Sequence, residues 1–344
     1  MHSYFSISFR NVLQGNTILF IFAGMKNDHQ LAGIYFAPLQ EYTDAVYRNA
    51  HSRLFGGVNK YFAPYLVQMN DGSIKKSTWR DILPENNPDV LPVPQILAGT
   101  VEEFIVIVRQ VLGLGYREIN WNLGCPYPMV TRRGRGAGLL PNPDKIREIL
   151  EKAFSIPEIN LSVKLRAGLV SKDELLPVLQ VLNDFPVTEV ILHPRIAKDL
   201  YKGEADRQLF SESKDICCHP LVYNGDIVTV DDARDFSYRE NISTIMIGRG
   251  LLQNPFLAAE INGNSVSDKK EKVRLLKEFH AEIYSAYAEK LNGFSHQHMR
   301  MLKFWSYFSE SFPESRKAFK KVKKATSEAK YDEAVREVFR QFEF

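Results

Sequence analysis

From residue 33 onward, short apolar runs rich in β-branched and aromatic residues alternate with longer stretches whose apolar positions recur every three or four residues. Eight runs read as strands: 34–37, 60–63, 93–97, 118–122, 161–165, 189–193, 221–224 and 244–248. Between them the spacing predicts helices, among them 101–112 behind Thr100 as N-cap, 143–153, 173–182 and 229–236. Strands that alternate with helices pair in parallel, and eight such units over residues 33–262 predict a (β/α)8 barrel. An open doubly wound sheet is the rival, but no GxGxxG follows the first strand.

The pattern changes after Asn262-Gly263-Asn264-Ser265, which reads as a linker. Beyond it the strands stop. Leu275, Leu276, Phe279, Ile283 and Tyr287 fall at helical spacing, as do Met301, Leu302, Trp305 and Phe308. Residues 263–344 are therefore expected to form a small helical domain after the barrel. Residues 1–32 read as an N-terminal extension, within which Met25, at the start of a polar stretch, reads as the genuine start.

In a parallel barrel the chemistry gathers where strands end. The expected ends are Ala37-Pro38-Leu39, Gln95, Asn122-Leu123-Gly124-Cys125, Lys164 with Arg166, His193-Pro194-Arg195, Asn224-Gly225-Asp226 and Gly248-Arg249-Gly250. Turn formers are common at such positions. A lysine, a histidine and a cysteine at three separate strand ends are not explained that way. The last two segments, on neighbouring strands, suit a phosphate cradle, since backbone N–H groups at a helix start attract anions. Lys164 is expected to point into the barrel mouth as a fixed positive charge, and His193 to donate beside it. A free thiol is mostly protonated at neutral pH, so Cys125 suits a general acid better than a nucleophile.

Composition narrows the class. The 344 residues are 44% hydrophobic and 25% charged, as in an ordinary globular protein. No run approaches the roughly 18 apolar residues of a membrane span. Three cysteines, two of them adjacent, give neither a disulfide framework nor metal-ligand spacing, and fit a reducing cytoplasm. The net charge of +3 is unevenly spread. Residues 264–344 hold 17 basic and 12 acidic residues, so the surplus lies in the helical part. There Arg316, Lys317, Lys320, Lys321, Lys323 and Lys324 line one predicted helix, suited to RNA phosphates or simply to solvation.

Taken together, these segments resemble the tRNA-dihydrouridine synthases. Asn122-Leu123-Gly124-Cys125-Pro126, followed by the loop Arg133-Gly134-Arg135-Gly136-Ala137-Gly138, is the most specific part. Ala37-Pro38-Leu39 with Thr43-Asp44, Gln95, Lys164-Leu165-Arg166, His193-Pro194-Arg195, Asn224-Gly225-Asp226 and Gly248-Arg249-Gly250 fall in the family's order. The likeness continues into Arg300-Met301-Leu302-Lys303-Phe304-Trp305. It implies an FMN-bound barrel that reduces the C5=C6 bond of uridine in tRNA, with NADPH as reductant; no stable protein partner is expected. Carried over by position, Cys125 is the proton donor. Ala37, Pro38, Leu39, Gln95, Lys164, His193, Asn224, Gly225, Asp226, Gly248 and Arg249 hold the flavin. Asn122 and Arg166 lie beside flavin or uracil, Arg195 is expected at the substrate, and from the charge pattern Lys320, Lys321 and Lys324 are expected to contact the RNA. Leu39 stands where Met is more usual, and Pro194 where many members have Gly. Two other readings stay open: an FMN barrel acting on a small molecule, of the dihydroorotate or enoate reductase type, and an RNA-binding barrel without catalysis.

Overall fold

In a computed structural model of the chain, residues 31–343 are described; the expected start at Met25 lies outside them. The strands are β1 (Gly33–Phe36), β2 (Lys60–Tyr61), β3 (Gln95–Ile96), β4 (Glu118–Leu123), β5 (Asn160–Gly168), β6 (Val190–Ile196), β7 (Leu221–Tyr223) and β8 (Thr244–Ile247). All pair in parallel, in the order β2-β1-β8-β7-β6-β5-β4-β3. The two outer strands then meet: Ala63 N–H donates to Val93 O at 2.9 Å, and Val93 N–H to Tyr61 O at 2.8 Å. The sheet closes on itself as a (β/α)8 barrel. The closing strands are the shortest because Pro64, Pro92 and Pro94 bring no N–H to a ladder.

Alternation along the strands sorts side chains to two sides. Tyr35, Phe62, Val93, Ile191, Val222 and Met246 form a cluster separate from the main core. The main core includes Ile34, Phe36, Ile119, Trp121, Leu161, Val163 and Leu165 together with the helices. At one end Lys60 pairs with Glu118 at 2.5 Å and Glu189 at 3.4 Å, and Tyr35 donates to Glu189 at 2.9 Å.

The helices follow their sequence signals. Val101–Gly113 starts at Thr100, whose hydroxyl accepts from Glu103 N–H. Pro143–Ala153 has Pro in its first turn. Val230–Glu240 begins with a capping box from Thr229 and Asp232. The stretch expected as one helix over 173–182 is divided: Ser171 caps a 3-10 turn, Lys172–Glu174, and the α-helix runs Leu175–Asn183.

After the barrel come the helices Lys269–Lys290, Phe294–Phe308, Ser315–Lys323 and Glu328–Glu343. Leu275, Leu276, Phe279, Ile283 and Tyr287 are all buried. The Phe279 ring lies 5.0 Å from Phe55 and 5.2 Å from Tyr47 of the barrel side, and 5.7 Å from Phe304. One continuous apolar core joins the helical part to the first barrel helix, Ala45–Leu54.

Candidate active site

Cys125 follows β4 and is fixed mainly through its backbone. The Asn122 carboxamide oxygen accepts from Gly124 N–H at 2.9 Å and Cys125 N–H at 2.8 Å. Asn122 in turn donates to Gln95 at 2.6 Å, Gln95 to Asn120 at 2.7 Å, and Asn120 to Ser162 at 2.8 Å. These amides are buried, so each lost bond would strand a desolvated polar group. From the other side the glycine-rich loop closes in. Ala137 N–H donates to Cys125 O at 3.1 Å. Gly136 has φ +57°, and a Cβ there would stand 2.9 Å from that of Cys125. Both the backbone angle and the close approach demand glycine.

The thiol faces a cavity of about 210 Å³ at the strand ends. Burial raises the Cys125 pKa; the Tyr127 backbone, the Tyr65 hydroxyl beside it and the cations Arg166 and Lys164 oppose that rise incompletely. The thiol therefore holds its proton at neutral pH. Burial pulls the Lys164 amine down to about 7, helped by the neighbouring Arg166 charge. Lys164 makes no hydrogen bond among the described residues. His193 is driven well below its usual value by burial, then by Arg166, Lys164, Arg195 and Arg249. It is neutral, and its Nε2 accepts from Arg195 at 3.3 Å.

Asp226 is the carboxylate on which two of these cations converge. Arg195 grips it with both terminal nitrogens, at 3.0 and 2.5 Å, and Arg249 reaches it at 2.8 Å. Burial alone would raise the Asp226 pKa; its bonds to Arg195 outweigh that and lower it. Arg249 opens the short helix Arg249–Gln253 and lies 4.5 Å over the Tyr201 ring. At Gly225 a side chain would collide with the Tyr223 hydroxyl, 1.9 Å from any Cβ.

Of the residues expected from sequence, the pocket gathers Ala37, Pro38, Leu39, Gln95, Asn122, Cys125, Lys164, Arg166, His193, Asn224, Gly225, Asp226, Gly248 and Arg249. Arg195 is not part of that lining. Its side chain is 3% exposed and bonds to Asp226, the Gly203 carbonyl and His193, so in this structure it positions Asp226 and His193 behind the pocket wall. Arg166 lines the pocket while donating to the Ile196 and Leu200 carbonyls at 3.0 and 2.8 Å. Lys320, Lys321 and Lys324 stand apart on or beside Ser315–Lys323, and Lys321 is ion-paired with Glu337.

Sequence reasoning missed the aromatic lining. Tyr42, Tyr65, Tyr127, Tyr201 and Tyr307 all border the cavity. Four of them sit in irregular segments, where no periodicity marks a facing. Tyr307 comes from the helical part, and its ring meets Tyr42 edge-on at 5.2 Å. The barrel and the C-terminal helices thus share the pocket wall.

A closed parallel barrel with a buried thiol and clustered cations at its strand ends defines the class: a (β/α)8 barrel with its candidate site at the C-terminal ends of the strands. The family model described as dihydrouridine synthase matches residues 35–343, and the chain belongs to that family. Among its relatives, a tRNA-dihydrouridine(47) synthase [NAD(P)(+)]-like protein of Xenopus tropicalis is 25% identical over 286 residues, 81% of this chain. The chain spans 44% of that relative's length. A tRNA-dihydrouridine(16) synthase of Aquipseudomonas alcaligenes is 26% identical over 250 residues, covering 69% of this chain and 78% of its own. A solved old yellow enzyme homologue from Zymomonas mobilis shares the fold at TM-score 0.50 and 12% identity, over 69% of this chain and 90% of the other. Among the described residues no helix is long and apolar enough to cross a membrane.

Proposed function

We propose that this protein reduces the C5=C6 bond of uridine in tRNA to 5,6-dihydrouridine, with FMN as its cofactor and NADPH as the source of electrons. The observation that carries the reading is Cys125, a thiol kept protonated by burial and locked at the mouth of a cationic pocket, in a chain matched to the dihydrouridine synthases from residue 35 to 343.

The residues present fit FMN. The Lys164 amine, lowered to about 7 by burial, is divided between its charged and neutral forms at neutral pH; it is directed at the cavity and without a hydrogen-bond partner among the described residues, so an electron-rich ring beside it would favour the charged form. It would stand by the flavin ring with Gln95, Asn122 and His193. Arg249, Gly248 and the Asn224–Asp226 turn would take the phosphate. Bound there, FMN supplies the hydride for C6.

The chain's own residues do the rest. Cys125 gives its proton to C5, and the Lys164 and Arg166 charges stabilise the thiolate left behind. The amide chain from Ser162 to Asn122 keeps the Cys125 backbone from drifting as that charge appears. The target base must leave the RNA stack, at a cost of a few kcal/mol. Aromatic faces such as Tyr127 and Tyr201, half-exposed beside the pocket, suit an unstacked base. Contacts elsewhere on the tRNA offset the remaining cost.

The experiment is to incubate the flavin-loaded protein with NADPH and unmodified tRNA, then count dihydrouridine by mass spectrometry. New dihydrouridine supports the proposal. Flavin that NADPH reduces, but that leaves tRNA unmodified and reduces a small enone or pyrimidine instead, would overturn it.

A further inference from the structure

The loop after β1 forms one wall of the pocket through Leu39, Gln40 and Tyr42. Between them stands Glu41 at φ +70°, in the left-handed region that a side chain with a Cβ rarely adopts. Such a conformation persists where its surroundings over-determine it. Here the turn's own bonds, Tyr42 and Thr43 N–H to the Leu39 carbonyl and Leu39 N–H to the Thr43 hydroxyl, are joined by a clamp from the helical part, 259 residues further along the chain.

Arg300, on the helix Phe294–Phe308, is the centre of the clamp. One terminal nitrogen donates to the Glu41 carbonyl. The other donates to Asp44 at 2.6 Å and to the Tyr287 hydroxyl at 2.9 Å. Tyr287 closes the triangle by donating to Asp44, 3.0 Å from each carboxylate oxygen. Asp44 is no free acceptor: it caps the first barrel helix through Tyr47 N–H at 3.1 Å. Lys303 adds an ion pair to the Glu41 side chain at 2.5 Å, solvent-exposed and so of small weight. One turn on, Tyr307 meets the Tyr42 ring.

We infer that Arg300 is a positioning residue for the active site: by holding Glu41 in its left-handed conformation, it sets the wall that Leu39, Gln40 and Tyr42 present to the bound cofactor and base. The C-terminal helices then serve as more than a handle for RNA. They complete the pocket, and a barrel deprived of the clamp lets that wall relax towards ordinary backbone angles. The inference rests on the proposed flavin site for its effect on cofactor, but not for its effect on the loop.

The strained residue supplies the test. Glycine takes φ +70° without penalty, so Glu41→Gly should make the loop independent of the clamp. Three variants are compared with wild type: Arg300→Ala, Glu41→Gly and the double substitution. Hydrogen exchange reads the loop directly at the Tyr42 and Thr43 amides, both bonded to the Leu39 carbonyl, at 3.0 and 3.1 Å. Arg300→Ala should speed their exchange, and Glu41→Gly in the same chain should restore most of the protection. FMN affinity, read by flavin fluorescence, should fall about tenfold in Arg300→Ala and recover in the double variant. Arg300→Ala with unchanged exchange, or a double variant no better protected than the single one, would overturn the inference. A wild-type protein that bound no FMN would refute the flavin reading instead, and the exchange comparison would still decide the role of Arg300.

Discussion

At Cys125 three local facts act together: a backbone held by Asn122, a glycine loop packed against its Cβ, and burial that keeps the proton on sulfur. None of them needs the thiol itself to be large or charged. Cys125→Ala should therefore fold, retain flavin and still be reduced by NADPH. Uridine reduction should slow by about 10²–10⁴-fold, the usual scale for a missing general acid. Stopped-flow absorbance separates the two half-reactions, and a normal rate of flavin reoxidation by tRNA in the variant would remove Cys125 from its role. Arg249 makes a different kind of case. Its guanidinium is shared between Asp226 and the Tyr201 face, and it is about one-third exposed. A charge-assisted bond to phosphate forms at little reorganisation cost from such a position. Arg249→Ala should weaken FMN binding roughly tenfold or more, measured by equilibrium dialysis; undiminished affinity would assign the arginine to Tyr201 and Asp226 alone.

At the scale of elements, the strands and the helices with clear caps were legible because alternation and capping are local. Gln95, Asn122, Cys125 and Lys164 were legible for the same reason, each lying at or just beyond a strand end. What stayed hidden was held by long-range contacts. Nothing near Tyr307 announces that its ring borders a barrel pocket, and nothing near Arg195 says that Asp226, 31 residues later, will claim its guanidinium. The split of 173–182 into two helical pieces follows from a capping box that begins at Ser171, earlier than the apolar periodicity suggests. The basic helix is an intermediate case. Ser315–Lys323 forms with Val322 and Ala318 inward, and Lys320, Lys323 and Lys324 exposed. Lys321, however, is tied to Glu337, so reversing its charge would disturb the domain itself. The cleaner test is Lys320→Glu with Lys324→Glu. These should raise the KM for tRNA and flatten its dependence on salt, while flavin content and NADPH oxidation stay normal. An unchanged salt titration would return the stripe to a solubilising role.

For the whole molecule, the core that unites barrel and helices contains imidazoles that must stay neutral. His280 lies on Lys269–Lys290, where its Nε2 is 2.8 Å from the Tyr331 hydroxyl. That hydroxyl also accepts from Trp305 Nε1 at 2.9 Å, and with the ring neutral its own proton is free to go to His280. Protonating the ring would remove the acceptor and bury a charge among Tyr284, Trp305 and Phe339. Burial accordingly depresses the His280 pKa from 6.5 to about 3. His51, packed against Tyr61 in the barrel, is lowered to about 3 for the same reason. In the unfolded chain both rings take up a proton near pH 6.5. Their contribution to stability is therefore complete above that pH and erodes as pH falls below it, by up to about 1.4 kcal/mol per pH unit for each ring. The erosion continues towards pH 3, where the folded rings would themselves protonate. Between pH 6.5 and 5 the melting temperature should fall steadily, and His280→Gln should shrink that slope by the share of one ring, whatever it does to the melting temperature at pH 8. A slope identical to that of wild type would mean that the ring is protonated in the native protein, with the Tyr331 hydroxyl turned to accept from it.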